Sequence, residues 1–196
     1  MKNLLIILLL VANSLIAAAK EHPDVEFKDV KASEVYTAAY TGSDGDDTVQ
    51  VRGLRLDATS NRKWFRISAA YETRPEWIDR LSIEYYVLMP SPDQKEVLFK
   101  GVVNYVDIPQ SREHLSEMYM HFNSYERHYG RGDIEYAVVV LIDGKEMAAK
   151  TSRKEPKDWW KSMTPHPCEL LNRLDTPFRV INVEKYEAQD LCAWPQ

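Results

Sequence analysis

Residues 134–151 read Ile-Glu-Tyr-Ala-Val-Val-Val-Leu-Ile-Asp-Gly-Lys-Glu-Met-Ala-Ala-Lys-Thr, and their reading decides the fold. From Ile134 to Ile142 the run is apolar on both faces, as a strand in the middle of a sheet must be when both of its faces are covered. Asp143-Gly144 follows. Asp-Gly between two strand-like runs marks a hairpin, because the tight primed turn needs positive φ at both of its central residues. The chain is expected to return antiparallel through Lys145 to Thr151.

Working towards the N-terminus, the same grammar recurs. Phe65, Ile67, Ala69 and Tyr71 alternate with Arg66, Ser68 and Ala70, the period-2 pattern of a strand with one buried face. Leu81, Ile83, Tyr85, Val87 and Met89 repeat it until Pro90-Ser91-Pro92-Asp93 stops the run as a turn. Val97 to Val106 reads as a third strand, bent at Gly101. Residues 111–129 fit both periods. Leu115, Met118, Tyr119 and Phe122 have helical spacing, whereas Met118, Met120 and Phe122 alternate. Strands on both sides favour a strand near 115–122 followed by a helical corner. Val25, Phe27 and Val30 suggest an opening strand, and 48–56 another, separated by the turn cluster from Gly42 to Asp47.

Several strands with frequent turn signals point to an all-β, immunoglobulin-like antiparallel β-sandwich of seven or so strands. After Glu155 the chain changes character. Pro156, Pro165, Pro167, Pro177 and Pro195 punctuate a helix-like stretch (169–174) and a last strand candidate (178–186). Residues 20–155 are read as the sandwich and 156–196 as a C-terminal tail packed on it.

Composition supports one globular unit. The chain has 196 residues, 44% of them hydrophobic and 28% charged, enough apolar surface to offset chain entropy. Its formal net charge is −5, and no basic stripe offers the counterion release that drives nucleic-acid binding.

Met1-Lys2-Asn3, the apolar run from Leu4 to Val11, and Ala17-Ala18-Ala19 before Lys20 have the layout of a secretory signal peptide over residues 1–19. The run is shorter than the roughly 18–20 apolar residues of a membrane span. Cleavage is expected before Lys20, which would place the mature chain in the periplasm or outside the cell, at the cell surface or free. In an exported chain the pair Cys168 and Cys192 is expected to form one structural disulfide tethering the tail.

The chemistry-bearing residues are few. His114, His121 and His128 recur every seven residues, but no metal-ligand set stands beside them, so ordinary polar roles are expected. Asp44, Asp46 and Asp47 read as a solvated turn in place of a calcium loop. No nucleophile elbow, zinc-protease helix or phosphate loop occurs. No catalytic residue, metal site or cofactor is assigned. Arg131-Gly132-Asp133 resembles the tripeptide that integrins recognise, although its glycines are explained by a turn. Trp159 and Trp160 have two readings. They stack on a sugar or anchor a protein partner, or they pack the tail onto the sandwich.

Two stretches carry a resemblance: Arg127-His128-Tyr129-Gly130 leading into residues 134–145, and Leu170-Leu171-Asn172-Arg173-Leu174-Asp175-Thr176-Pro177-Phe178. With the signal peptide and strand pattern they resemble a family of exported, immunoglobulin-like, "pilus-like" proteins of Akkermansia-type verrucomicrobia, associated with type IV pilus genes. The resemblance implies no enzymatic activity and a place in or near a pilus-type assembly, with protein partners. It transfers no functional residue. An ordinary type IV pilin retains its hydrophobic helix after cleavage, whereas here the hydrophobic run precedes the expected cut, so an accessory role is the expectation. A glycan-binding β-sandwich module using Trp159 and Trp160 is the alternative.

Overall fold

The structure is a computed structural model and describes residues 23–36, 62–91, 93, 95–128, 132–167 and 170–180. The strand expected over 48–56, the Asp44–Asp47 turn, the signal peptide, Arg131, Cys168 and Cys192 lie outside the described residues.

Among the described residues, six strands form one antiparallel sheet. They are β1 (Val25–Tyr36), β2 (Lys63–Pro90), β3 (Glu96–Met120), β4 (Glu135–Ile142), β5 (Lys145–Thr151) and β6 (Leu171–Asn172), and one helix, α1 (Phe122–His128), follows β3. The ladder order is β5-β4-β2-β3-β6, with β1 also paired to β2. The all-β class is as expected, but two of the strands are longer than the sequence reading makes them. The runs 65–71 and 81–89, read as two strands, belong to the single 28-residue β2. Likewise 97–106 and 115–120 belong to the 25-residue β3. The reason is that β2 and β3 stay paired across the interruption, from Phe65↔Met120 through Trp77↔Pro109 to Pro90↔Glu96.

That interruption is a bend, and it makes the sandwich. The ladder slips between Thr73 and Trp77, where Pro75 has no N–H to give it. On one side of the bend β2 lies between β1 and the end of β3. On the other it lies between β4 and the start of β3. The two halves enclose a single core. Phe65, Ile67, Ala69 and Tyr71 meet Leu81, Ile83, Tyr85, Val87 and Met89 within one buried cluster, completed by Phe99, Val103, Tyr105 and Val138. The alternation that the sequence displays is this inward face. β1 approaches the second half at the β4–β5 hairpin, where the Tyr136 hydroxyl donates to the Val30 carbonyl at 3.0 Å and Lys150 Nζ to the Lys28 carbonyl at 3.3 Å.

A bulge in β1 between Phe27 and Asp29 keeps Val25 and Val30 both inward and turns Lys28 out. The Asp143-Gly144 turn is as expected, with φ of 51° and 73°. Gly101 bends nothing. It lies within β3, and a Cβ there would come within 2.8 Å of Leu170 Cβ, so the glycine admits the tail at close range.

The tail covers the outer faces. On the second half, Trp159 and Trp160 join Tyr86, Leu88, Leu98, Ala137 and Val139 in a second buried cluster. On the first half, Phe178 closes over Trp64 and Tyr119, stacked on the latter at 4.8 Å between centroids. Backbone bonds from His166 N–H to Leu98 O (2.7 Å) and from Leu170 N–H to Lys100 O (2.8 Å) seal the β3 edge. The helix-like reading of 169–174 is corrected over 170–174 and the strand reading of 178–186 over 178–180, the rest lying outside the described residues. Leu171–Asn172 pairs with β3, and 3₁₀ turns follow at Arg173–Asp175 and Pro177–Val180. Thr176 causes the second turn, because its hydroxyl donates to Arg173 O (2.7 Å) and accepts the Phe178 N–H (3.2 Å).

Candidate interaction surface

Trp159 and Trp160, the two residues singled out for binding, are 2% and 4% exposed. The Trp159 indole N–H donates to Thr151 Oγ1 at 3.1 Å, and its ring meets Trp160 edge-on at 5.8 Å. Trp160 lies tilted against Tyr86 at 6.1 Å, and Lys161 Nζ sits 5.9 Å from its centroid. Stacking on a sugar needs an open ring face, and these rings spend theirs on the sheet. Next to them, the Tyr86 hydroxyl and Glu84 share a hydrogen bond of 2.5 Å. Burial, reinforced by that carboxylate, holds the Tyr86 phenol well above its ordinary pKa.

The histidines scatter as expected of a strand and corner. His114 is buried against Tyr71, ring on ring at 4.9 Å. His121 follows β3, beside Trp64 at 4.9 Å. His128 ends α1, with Nδ1 2.9 Å from the Pro90 carbonyl. Among the described residues no group of three or more His, Cys, Asp or Glu is arranged to hold a metal ion. No helix among them is long and apolar enough to cross a membrane.

Two places stand out among several that face outward in the described residues, where Tyr36 and Val102 are also exposed and β1 too is paired on one side only. The first is β5. It pairs with β4 on one side only, and among the described residues its outer edge carries no further strand. Unpaired edges template strand addition, and proteins guard them with charge and bulges. Here Lys145 and Glu146 are exposed, the half-buried Lys150 reaches the Lys28 carbonyl of the nearby β1 at 3.3 Å, and the ladder slips between Val140 and Leu141. Lys161 fixes Glu146 at 2.9 Å.

The second is the bend, which the sequence reading missed. Trp77 is 58% exposed there. A knot at Thr73 holds the backbone around it. The Thr73 hydroxyl donates to Pro109 O (2.9 Å) and accepts the Ser111 N–H (3.1 Å). With its proton so used, the oxygen accepts from His114 Nε2 (2.8 Å), which puts a proton on that ring nitrogen. Beside the knot is an open cleft of about 760 Å³, walled by Lys28, Glu72, Arg74, Gln110 and Arg112. Lys28 pairs with Glu72 at 2.7 Å, and Arg74 reaches Glu26 at 3.1 Å and Glu72 at 3.5 Å. The Lys28 hydrogen bond, with Lys28, Arg74 and Arg112 nearby, holds the Glu72 carboxyl below its ordinary pKa. The available signal was Pro75 and Trp77 falling out of phase between two alternating runs.

The search of curated proteins returned no match. Among solved structures, a crystal structure of a protein from Akkermansia muciniphila superposes with a TM-score of 0.70 at 19% identity, covering 88% of this chain and 95% of that one. At that identity the likeness shows a shared fold. A family profile matches residues 16–190, nearly the whole chain. The family is one of pilus-like structural proteins and is not a known enzyme class. The chain belongs to the pilus-like protein family represented in Akkermansia.

Proposed function

We propose that this chain is a non-enzymatic, exported accessory protein that makes protein–protein contacts within a type IV pilus-like assembly, at the cell surface or in the periplasm. Membership of the pilus-like family supports protein partners and a surface location. The observation that carries the contact mode is the outer edge of β5, which has no strand beyond it among the described residues. An extended segment of a partner could add there through main-chain hydrogen bonds, with the exposed Lys145 selecting the sequence that fits. The signal peptide over residues 1–19 would deliver the chain, and a Cys168–Cys192 bridge would lock the tail that covers the outer faces. The burial of Trp159 and Trp160 weighs against glycan binding through those two rings.

The test is in-cell crosslinking of the full-length protein in its own host, with mass spectrometry of what is captured. Recovery of pilus secretin, alignment or pilin components, with a mature N-terminus at Lys20, supports the assembly role. Recovery of envelope polysaccharide alone, or of an uncrosslinked monomer in the medium, overturns it.

A further inference from the structure

We infer that the bend is a second docking site, built to receive an extended acidic segment of a protein partner with an apolar residue seated on Trp77. Three observations converge on it. The first is a gap in the sheet. On one edge of β2, β1 leaves the ladder at Val25↔Thr73 and β4 joins it at Ser82↔Leu141. The Arg74 N–H still reaches Asp24 O at 2.9 Å. From 75 to 81 that edge carries no strand among the described residues, although its other edge remains paired to β3. Seven residues is about the length of an ordinary strand. Apart from Pro75, which has no N–H, backbone groups without a ladder partner on that edge among the described residues suit an incoming polypeptide, because a strand satisfies N–H and C=O groups in alternation.

The second observation is Trp77 itself, 58% exposed where most large apolar side chains of the described residues are buried. An isolated exposed tryptophan is the residue type that most often anchors a protein interface. It pairs in register with Pro109, so the bend presents a rigid apolar step beside the gap.

The third is charge. The chain is acidic overall, with a net charge of −5, yet the cleft at the start of the gap sets Lys28, Arg74 and Arg112 against a single lining carboxylate, Glu72. Glu72 and Glu26 occupy Lys28 and Arg74. Arg112 is exposed and acts on Glu72 only through space, with no salt bridge among the described residues. Its guanidinium is the group that remains to receive a carboxylate, and its planar fork suits one well. Further along the strand Glu76 and Asp79 are exposed. They would repel acid at that end, so the partner's carboxylates are placed at the cleft and its apolar residue at Trp77. This gives the docked segment a direction. The site stands apart from the β5 edge and does not depend on strand addition there.

The experiment uses the exported chain and two fluorescein-labelled ten-residue peptides, one alternating Glu with Val and one alternating Lys with Val. Binding is followed by polarisation at low and moderate salt. The acidic peptide is expected to bind and the basic one to fail. Trp77→Ala should weaken binding roughly tenfold or more, as loss of an interface anchor does. Arg112→Glu, at an exposed position where folding is not at stake, should abolish binding and with it the salt dependence. Equal binding of both peptides, or indifference to both substitutions, overturns the site. So does binding of polygalacturonate without binding of the acidic peptide, which would assign the cleft to an acidic glycan. If the peptide binds only after residues 20–22 are removed, the chain's own N-terminal segment fills the gap and the proposal fails. A photo-crosslinker placed at Trp77 in the host separates this reading from the assembly role. Capture through β5 without capture at position 77 refutes the bend alone, and capture at neither refutes both.

Discussion

Replacing Trp160 with alanine tests whether the tail is part of the core or a displayed arm. The side chain is 4% exposed, packed on Tyr86 and Trp159 and clustered with Leu98, Ala137 and Val139. A buried tryptophan removes about 150–250 Å² from water, and at about 25 cal/mol per Å² that is roughly 4–6 kcal/mol. An extended reference chain makes this an upper bound. Measured Trp→Ala and Phe→Ala costs of about 3–5 kcal/mol bracket the expectation. For a chain of this size each kcal/mol moves Tm by about 2–4 °C, so Trp160→Ala should lower Tm by roughly 6–20 °C. The assay is urea and thermal unfolding by far-ultraviolet circular dichroism, which avoids the fluorescence that the substitution removes. A loss below about 1 kcal/mol, the size of an ordinary surface change, would refute the reasoning. It would mean that the ring leaves the sheet readily and is available to a ligand.

Other substitutions probe separate parts of the account. Gly101→Ala places a methyl group within 2.8 Å of Leu170 Cβ and 3.2 Å of the Leu170 carbonyl; overpacking of this kind costs about 1–3 kcal/mol in the same unfolding assay. Thr73→Val removes an oxygen that serves Pro109, Ser111 and His114 and should cost about 1–3 kcal/mol by leaving buried polar groups short of a partner. The Glu72 carboxyl, held below its ordinary value of 4.5 chiefly by Lys28, stabilises the fold above that pH and loses the effect as pH falls through its lowered value. A carboxyl-carbon titration by nuclear magnetic resonance should find its midpoint below 4.5, and Lys28→Met should bring it back up. For the cysteines, thiol titration of the unfolded, unreduced exported chain should find no free thiol, and reduction should cost roughly 3 kcal/mol for a loop of about 25 residues.

The strongest sequence signals were those that stay local. The Asp143-Gly144 turn and the two-faced apolar run of β4 specify a hairpin and its central position without reference to any other segment. The inward alternation of Phe65–Tyr71 and Leu81–Met89 likewise named the core. The bend was not legible, because a strand that slips register between Thr73 and Trp77 reads along one chain as a strand that ends. Only pairing with β3 shows its continuity, and that pairing is made by residues some 30 positions away. Trp77 was hidden for the same reason. The tail misled in another way. Phe178 and Val180 alternate as a strand would, but the Thr176 hydroxyl wins the Phe178 N–H and tightens the segment into a 3₁₀ turn. Trp159 and Trp160 were recognised as important, and only their packing on Tyr86 and Thr151 decides in which direction.

The most direct test of the central claim, that this is a partner-binding protein which works through an open sheet edge, is hydrogen exchange of the exported chain alone and then bound to the protein captured by crosslinking in its host. The account predicts that β5 amides from Lys145 to Thr151, on the side away from β4, exchange quickly in the free chain and become protected in the complex. Unchanged β5 exchange in the complex, with protection confined to other surfaces, would contradict it.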